Sequence, residues 1–353
     1  MFGKFRSLLN GLGWSGLMFV VLAGCDSKSA EKAVERTDTL EPARDQVDAT
    51  KLVLFQPLPE VMASDSNPIT EAKVALGRML YYEPRLSKAE DISCNTCHLL
   101  DQFGVEPRRV SVGHEGQEGK RNSPSVYHAA GQVAQFWDGR EPTVEAQVKG
   151  PAMNPIEMAM PDEQAVVDRL AAIPEYVQLF EAAFPGEDEA ITFDHLALAI
   201  GAFERGLVTP APFDAFLKGD QTALTAEQKR GLNTFIDVGC VTCHMGPYLG
   251  GNLIHKLGLL KPWPDTGDQG RFEATGKAAD KMMFKVPSLR NVARTGPYFH
   301  DGGEDDLGHA SRLMAEHQLG RTLDDQQVEE MLAFFDALTG EIPTEYIRPP
   351  ELP

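Results

Sequence analysis

Two short segments of the chain repeat one arrangement of nucleophilic and metal-binding side chains. They are Cys94-Asn95-Thr96-Cys97-His98 and Cys240-Val241-Thr242-Cys243-His244. In a C-x-x-C-H segment the two thiols can form thioethers with the vinyl groups of a haem, while the histidine ligates its iron. A redox dithiol or a four-cysteine zinc site would explain the cysteines, but neither explains a histidine after both pairs. The motifs therefore predict two covalently bound c-type haems, with His98 and His244 as proximal ligands.

The sixth ligand of each iron determines what that haem does. Met/His ligation raises the reduction potential and favours electron transfer, whereas peroxide chemistry needs a coordination position that can open. Spacing alone does not choose among several candidates, because most methionines are packing residues. The candidates are His114, Met153, Met158 and Met160 after the first motif, and Met282, Met283 and Met314 after the second.

The chain contains an internal repeat at a constant offset of 163 residues. Pro124-Ser125-Val126 and Phe136-Trp137-Asp138-Gly139 correspond, without a gap, to Pro287-Ser288-Leu289 and Phe299-His300-Asp301-Gly302. This self-similarity indicates a duplication, with a boundary in the proline-containing stretch 208–213. We predict an N-terminal peroxidatic haem domain over 51–208 and a C-terminal electron-transfer haem domain over 209–353.

The elements that position these motifs are predicted to be helices. A capping residue followed by proline at 67–68 and an apolar face from Val74 to Leu80 predict a helix that leads into the first motif. Similar patterning predicts helices over 162–172, 174–183, 193–205, 225–237 and 323–338, and alternating strand-like runs are absent from the sequence. The fold class is therefore mostly α with long loops, which a haem buried in each half would organise.

The N-terminus has the features of an exported lipoprotein. Within residues 1–24, basic residues precede an apolar run that is too short to span a bilayer, and the segment before Cys25 resembles a lipobox. We expect 1–24 to be a signal peptide and Cys25 to carry the lipid, followed over 25–50 by a polar tether. Asp26 favours retention at the periplasmic side of the inner membrane.

The charge of the chain constrains its partners. The net charge is −19 at pH 7, which disfavours binding to nucleic acid. It suits a basic protein partner attracted by electrostatic steering, and it is equally typical of an acidic surface without a partner.

Several motifs, in combination and in order, resemble those of the bacterial dihaem cytochrome c peroxidases, from about residue 54 to 340. Besides the first haem motif they are Gly113-His114, Gly119-Lys120-Arg121-Asn122-Ser123-Pro124, Phe136-Trp137-Asp138-Gly139-Arg140, Glu157-Met158 and Lys285-Val286-Pro287-Ser288-Leu289-Arg290-Asn291. The resemblance implies two cytochrome c-like domains, each enclosing one haem, and the reduction of hydrogen peroxide to water. It implies electrons from a small periplasmic cytochrome c or cupredoxin, and a homodimer.

The resemblance also assigns individual residues. By it Met314 is the distal ligand of the second haem and His114 the resting-state distal ligand of the first. Glu157 and Gln147 match the catalytic pair over the peroxidatic iron, and Trp137 matches a tryptophan between the haems. The side chain of Asn122 and the carbonyl groups of Thr295 and Pro297 match a calcium site.

Two other functions remain open. A related dihaem oxygenase type matures tryptophan tryptophylquinone on a partner protein, but it has a tyrosine as the second haem's distal ligand, so Met314 and His114 argue against it. A dihaem electron carrier, with both irons six-coordinate, would lack catalysis altogether. The repeat supports one reactive haem, because the step of 14 residues from His300 to Met314 leads from Trp137 to Pro151, which cannot ligate iron.

Overall fold

The computed structural model describes residues 44–353. The predicted signal peptide, the predicted lipid attachment at Cys25 and most of the predicted tether lie outside the described residues. Within 44–353, no helix is long and apolar enough to cross a membrane.

The described residues are mostly helical, as predicted. Twelve α-helices lie within 44–353: α1 (Ala49–Leu52), α2 (Glu71–Tyr81), α3 (Cys94–Cys97), α4 (Val144–Met153), α5 (Glu163–Ala171), α6 (Pro174–Ala183), α7 (Phe193–Glu204), α8 (Pro212–Leu217), α9 (Ala226–Val238), α10 (Phe272–Thr275), α11 (Leu307–Leu319) and α12 (Asp325–Asp336). Seven short 3-10 helices and one pair of antiparallel strands, β1 (Ile254–Lys256) and β2 (Met283–Lys285), complete this part of the chain.

Side-chain caps fix where the longer helices begin. The Thr225 hydroxyl accepts from the Gln228 N–H at the start of α9, and the Gln228 side chain accepts in return from the Thr225 N–H. The Asp324 carboxylate accepts from the Gln327 N–H at the start of α12. Such caps satisfy backbone donors that have no partner inside the helix.

One pair of crossing helices organises each half. Helix α2 crosses α7 at Gly77, where an added Cβ atom would lie 1.9 Å from the Ala199 carbonyl oxygen. Helix α9 crosses α12 at Gly231, where an added Cβ atom would lie 1.9 Å from the Glu330 carbonyl oxygen. Only glycine allows the backbones to approach this closely, so each half has the same helix contact.

Aromatic side chains fill the two cores that these helix pairs enclose. The first core includes Tyr81, Tyr176, Phe180 and Phe203, and the second includes Phe213, Phe216, Phe235 and Phe334. All of these side chains are almost completely buried. The predicted boundary at 208–213 lies between them in sequence and remains a prediction.

The internal repeat extends to the backbone. His128 and its equivalent Asn291 have left-handed φ values of 62° and 61°, and Phe136 and Phe299 have 64° and 70°. An isolated bridge recurs at the same offset, joining Gln135 to Glu141 and Tyr298 to Glu304. The equivalence continues into α4 and α11, which begin at Val144 and Leu307. The two halves therefore share one loop path from residue 128 to the start of α4.

We expect the Gly77→Ala substitution to lower the free energy of unfolding by roughly 1–3 kcal/mol, the usual cost of overpacking. The added methyl group would meet a backbone oxygen that cannot rotate away, which outweighs the gain of about 1 kcal/mol in helix propensity. Urea denaturation of the purified protein measures the change. The control is Gly119→Ala, whose methyl group would lie 3.6 Å from the nearest atom, the Ser111 oxygen. Equal midpoints for the two variants would contradict a tight crossing.

Candidate functional site

Both C-x-x-C-H motifs face one cavity of about 740 Å³. The first motif forms helix α3, and the second begins with the 3-10 helix Cys240–Thr242. In each, one turn brings the histidine back towards the first cysteine, since the His98 N–H donates to the Cys94 carbonyl group at 3.0 Å. The His244 N–H donates to the Cys240 carbonyl group, also at 3.0 Å. All four cysteines and both histidines line the cavity, as a thioether-bound haem requires.

Backbone carbonyl groups orient both proximal histidines. The His244 Nδ1 donates to the Leu249 carbonyl oxygen at 3.0 Å, and the His98 Nδ1 lies 3.4 Å from that of Gly104. The carbonyl groups of Pro124 and Pro287, equivalent residues of the repeat, accept from the same two rings. A proton held at Nδ1 leaves Nε2 free to ligate a metal.

Burial keeps both rings neutral. It lowers the pKa of His98 and lowers that of His244 to about 4. A neutral imidazole with an open Nε2 is the form that ligates iron. These two histidines therefore fit a haem as the sequence predicts.

The thiols do not have the environment of a redox or zinc-binding pair. Burial raises the pKa of the Cys94 and Cys240 thiols to about 12 and that of Cys97 to about 11. Disulfide exchange and zinc binding need thiolates, whose pKa is lowered by nearby positive charge. Within residues 44–353, no group of three or more His, Cys, Asp or Glu side chains forms a metal site.

The structure brings most of the predicted site residues to this cavity. Its lining includes Trp137, Gln147, Glu157, Met314, Asn122, Thr295 and Pro297. Of the other candidate methionines, Met158 lines the cavity, whereas Met153, Met160, Met282 and Met283 are not among its lining residues. Met282 is instead buried against Trp263 and Phe284, in a cluster that Met314 contacts.

His114 lies beside the cavity, not among its lining residues. The side chain is buried, and neither ring nitrogen has a hydrogen-bond partner. Nε2 lies 3.6 Å from the Glu115 Oε1, which is too far for a hydrogen bond. Buried nitrogens without a hydrogen bond are costly unless another group satisfies one of them, which an iron could do. The His114 backbone N–H donates to the carbonyl oxygens of Ile156 and Glu157 at 2.9 and 2.8 Å. This shared hydrogen bond fixes the backbones of His114 and Glu157, both predicted site residues, next to each other. Its role as a ligand remains a prediction.

Glycine is required immediately before His114. A Cβ atom at Gly113 would lie 2.1 Å from the Ile156 carbonyl oxygen and 2.8 Å from the Glu157 Cα atom. The Gly113-His114 pair therefore allows the two loops to touch.

Glu157 has the environment of a group that exchanges protons. Burial raises the pKa of its carboxyl group, while the Asn154 amide, 2.7 Å from Oε1, and the positive charge of Arg140 oppose the increase. Gln147 lines the same cavity one turn into α4. Arg140 was not among the predicted site residues. Its position at the end of the Phe136–Arg140 motif is the sequence feature that could have indicated it.

Trp137 lies at the contact between the halves. Its indole N–H donates to the Asn122 carbonyl oxygen at 2.8 Å, and its own carbonyl oxygen accepts from the Lys285 N–H at 2.7 Å. The ring of its repeat equivalent, His300, stands edge-on to the indole with centroids 6.5 Å apart. The sequence motifs do not indicate this contact.

The three residues of the predicted calcium site all line the cavity. Asn122 is buried, and its amide nitrogen donates to the carbonyl oxygens of Arg108 and Arg109 at 3.2 Å each. This orientation leaves the side-chain oxygen for another partner. Calcium is bound by carbonyl and amide oxygens of this kind.

The two halves differ where a distal ligand would lie. Met314 and Pro151 occupy the same place in the equivalent helices α11 and α4. Only the second half therefore offers a thioether sulfur there. With two thioether-forming motifs and two oriented histidines on one cavity, the fold and site define a c-type cytochrome with two haem sites.

Comparison with known proteins gives the family. The model of the di-haem cytochrome c peroxidase family matches residues 71–222. The chain is 46% identical over 297 residues to the cytochrome c551 peroxidase of Pseudomonas aeruginosa, covering 82% of this chain and 85% of that protein. It is 39% identical over 239 residues to the methylamine utilization protein MauG of Methylorubrum extorquens, covering 67% of each chain.

A solved structure agrees with these relatives. A MauG-like protein associated with microbial copper homeostasis matches with a TM-score of 0.74 and 29% identity, covering 83% of this chain and 97% of that one. The chain belongs to the di-haem cytochrome c peroxidase family, which confirms the resemblance seen in its motifs. Its cofactors are accordingly c-type haems.

Replacing both cysteines of one motif should remove one haem. We expect the Cys94→Ala/Cys97→Ala double variant to retain half of the covalently bound haem, because the second motif keeps its own thioethers. The pyridine haemochrome absorbance per chain and the intact mass measure this. The matched variant Cys240→Ala/Cys243→Ala should lose the other half. Full haem content in either variant would contradict the assignment.

Proposed function

We infer that this protein is a cytochrome c peroxidase that reduces hydrogen peroxide to water with electrons from a cytochrome. The supporting observation is the half-buried Glu157, whose carboxyl group has a raised pKa, in the cavity that the first haem motif lines. A relative that matches most of this chain is named cytochrome c551 peroxidase. A cupredoxin, which is also a small periplasmic redox protein, is an alternative electron donor.

The haem iron supplies the redox chemistry that cleaves the O–O bond. Reduction of one peroxide to two waters consumes two electrons, which the donor supplies, and two protons, which come from solvent. In addition, one proton must move from one peroxide oxygen to the other as the O–O bond breaks. Glu157 takes a proton from one oxygen and returns it to the other, as general base and then acid. Its raised pKa suits this exchange, because a proton carrier works best when its pKa is near the ambient pH. Gln147 orients the peroxide by hydrogen bonding.

The two haem sites divide the work. Met314 would ligate the second haem iron, and a thioether ligand would give that haem the high potential that suits it to receive electrons from the donor. His114 would hold the first haem iron in the resting protein and would have to leave it before peroxide could bind, so that it would act as a gate. Trp137 connects the two sites, and its contacts to residues of both halves support this role.

Two features of the site weigh against the MauG type of activity and against a simple electron carrier. MauG proteins are relatives too, at lower identity than the named peroxidase. A methionine lining the cavity of the second half favours the peroxidase. A simple electron carrier would not need a carboxyl group with a raised pKa beside its first haem.

We also infer that the enzyme works on the periplasmic side of the inner membrane, held by a lipid on Cys25. The support is the N-terminal sequence pattern and the acidic residue at 26. One calcium ion bound by Asn122, Thr295 and Pro297, and a homodimer, complete the proposal.

We expect Glu157→Gln to lower peroxide turnover by at least roughly 10²-fold, the lower end of a general acid–base contribution. The amide keeps the size and hydrogen bonding of the side chain but cannot carry the proton. Stopped-flow and steady-state assays with a reduced cytochrome measure the loss. The exposed Glu181→Gln is the control and should be fully active. Turnover within a few-fold of the parent would show that the proton travels by another route.

We expect Met314→His to lower the reduction potential of the second haem, because a nitrogen ligand favours ferrous iron less than a thioether does. A spectroelectrochemical titration measures both midpoints. Met282→Leu is the matched control, since Met282 is buried nearby but is not among the cavity-lining residues. A high-potential transition that survives Met314→His and disappears in Met282→Leu would transfer the ligand role to Met282.

A further inference from the structure

Lys285 is a buried lysine at the junction of the halves, and the peroxidase chemistry does not use it. Only 7% of the residue is exposed, and burial lowers the pKa of its ammonium group to about 8. Nζ donates to the Gln132 Oε1 at 2.6 Å, and the Asp138 carboxylate favours its positive charge. Burying an ammonium group is costly, so its presence here needs an explanation.

The repeat makes Lys285 the equivalent of Asn122, at the offset of 163 residues. The structure repeats this relation in its hydrogen bonds. The Asn122 N–H donates to the His300 carbonyl oxygen at 2.8 Å, and the Lys285 N–H donates to that of Trp137 at 2.7 Å. Because Trp137 and His300 are themselves equivalent in the repeat, these two hydrogen bonds are also equivalent. Lys285 and Asn122 therefore occupy the same position in the two halves.

The partners of these two residues are equivalent as well. The same offset relates Thr295 to Gln132 and Pro297 to Ala134. We call Asn122, Thr295 and Pro297 the calcium cluster, and Lys285, Gln132 and Ala134 the lysine cluster. The hydrogen bond from the Lys285 ammonium group to Gln132 thus lies within the copy of the calcium cluster.

We propose that the Lys285 ammonium group takes, in the lysine cluster, the place that calcium takes in the calcium cluster. The inference rests on the proposed calcium site. An ammonium group is a compact positive charge with three donors, so it can bond to oxygens that would otherwise face a metal ion. A lysine supplies no oxygen of its own, and calcium needs six to eight. The chain therefore holds one exchangeable cation and one built-in cation at its junction.

The test is to exchange the residues of the two clusters. We expect Lys285→Asn to bind two calcium ions per chain where the parent binds one, because it restores the side-chain oxygen and removes the competing charge. Lys285→Met is the control, since it also removes the charge but adds no oxygen, and it should still bind one ion. Plasma emission analysis of the haem-loaded proteins after equilibration with calcium and gel filtration measures the stoichiometry.

The reverse substitution gives a second readout that does not need the new site to form. Asn122→Lys should bind no calcium, and its melting temperature should stay near that of the calcium-loaded parent whether or not a chelator is added. If its melting temperature instead equals that of the chelator-treated parent, the ammonium group does not replace the ion and the proposal is overturned.

The outcomes separate this proposal from the calcium site itself. A parent with one calcium ion and a Lys285→Asn variant with no more than Lys285→Met would overturn the lysine proposal alone, as expected if Lys285 only neutralises a haem carboxylate. A parent without calcium would overturn the calcium site. Binding by Lys285→Asn in that case would still support the equivalence of the clusters.

Discussion

Two backbone hydrogen bonds between the halves hold Trp137 and His300 together at the junction. They join the Asn122 N–H to the His300 carbonyl group and the Lys285 N–H to the Trp137 carbonyl group. Each contributes only about 1 kcal/mol net, but a buried peptide group left unpaired would cost about 1–3 kcal/mol. The junction is therefore fixed more by the cost of breaking these bonds than by the gain from making them. The edge-on contact of Trp137 with His300 follows from this arrangement.

The repeat keeps the backbone and changes the side chains that do chemistry. A proline stands at the same position in both halves, as Pro124 and Pro287. In each half its carbonyl group accepts a hydrogen bond from the proximal histidine, so both halves need the same backbone path there. At the distal position a methionine in α11 is matched by Pro151 in α4. Two similar haem pockets thereby acquire different surroundings. One scaffold can then support a site for receiving electrons and a site for reacting with peroxide.

Sequence patterns predicted well what is local and poorly what depends on docking. The helices over 162–172, 174–183 and 193–205 were predicted because their apolar periodicity and caps are contained in the segment, and α5, α6 and α7 lie there. Helix α4 was not predicted, since Gly150 and Pro151 in its last turns are typical of a helix end.

The same distinction holds at the candidate site. The haem motifs could be recognised because their cysteines and histidine are adjacent in sequence. The approach of His300 to Trp137, the burial of Lys285 and the place of His114 beside the cavity all depend on how distant loops pack. The repeat offset was the one sequence feature that related these distant residues. It could have paired Lys285 with Asn122 before any coordinates were known.

The buried Glu204 and the half-buried Glu157 line the same cavity, and their surroundings separate their roles. Burial and the nearby charge of Glu145 raise the pKa of Glu204 to about 8, so Glu204 is mainly protonated and uncharged at neutral pH. The pKa of Glu157 is raised less decisively, because the Asn154 amide and Arg140 stabilise its charged form. A base that accepts a proton from peroxide must begin without one. Unlike environments for a pair of carboxyl groups are how acid and base roles are assigned in one site. Burial raises both pKa values, but only Glu204 also has a neighbouring carboxylate that disfavours its charged form, which favours the proposed role of Glu157 as the proton acceptor.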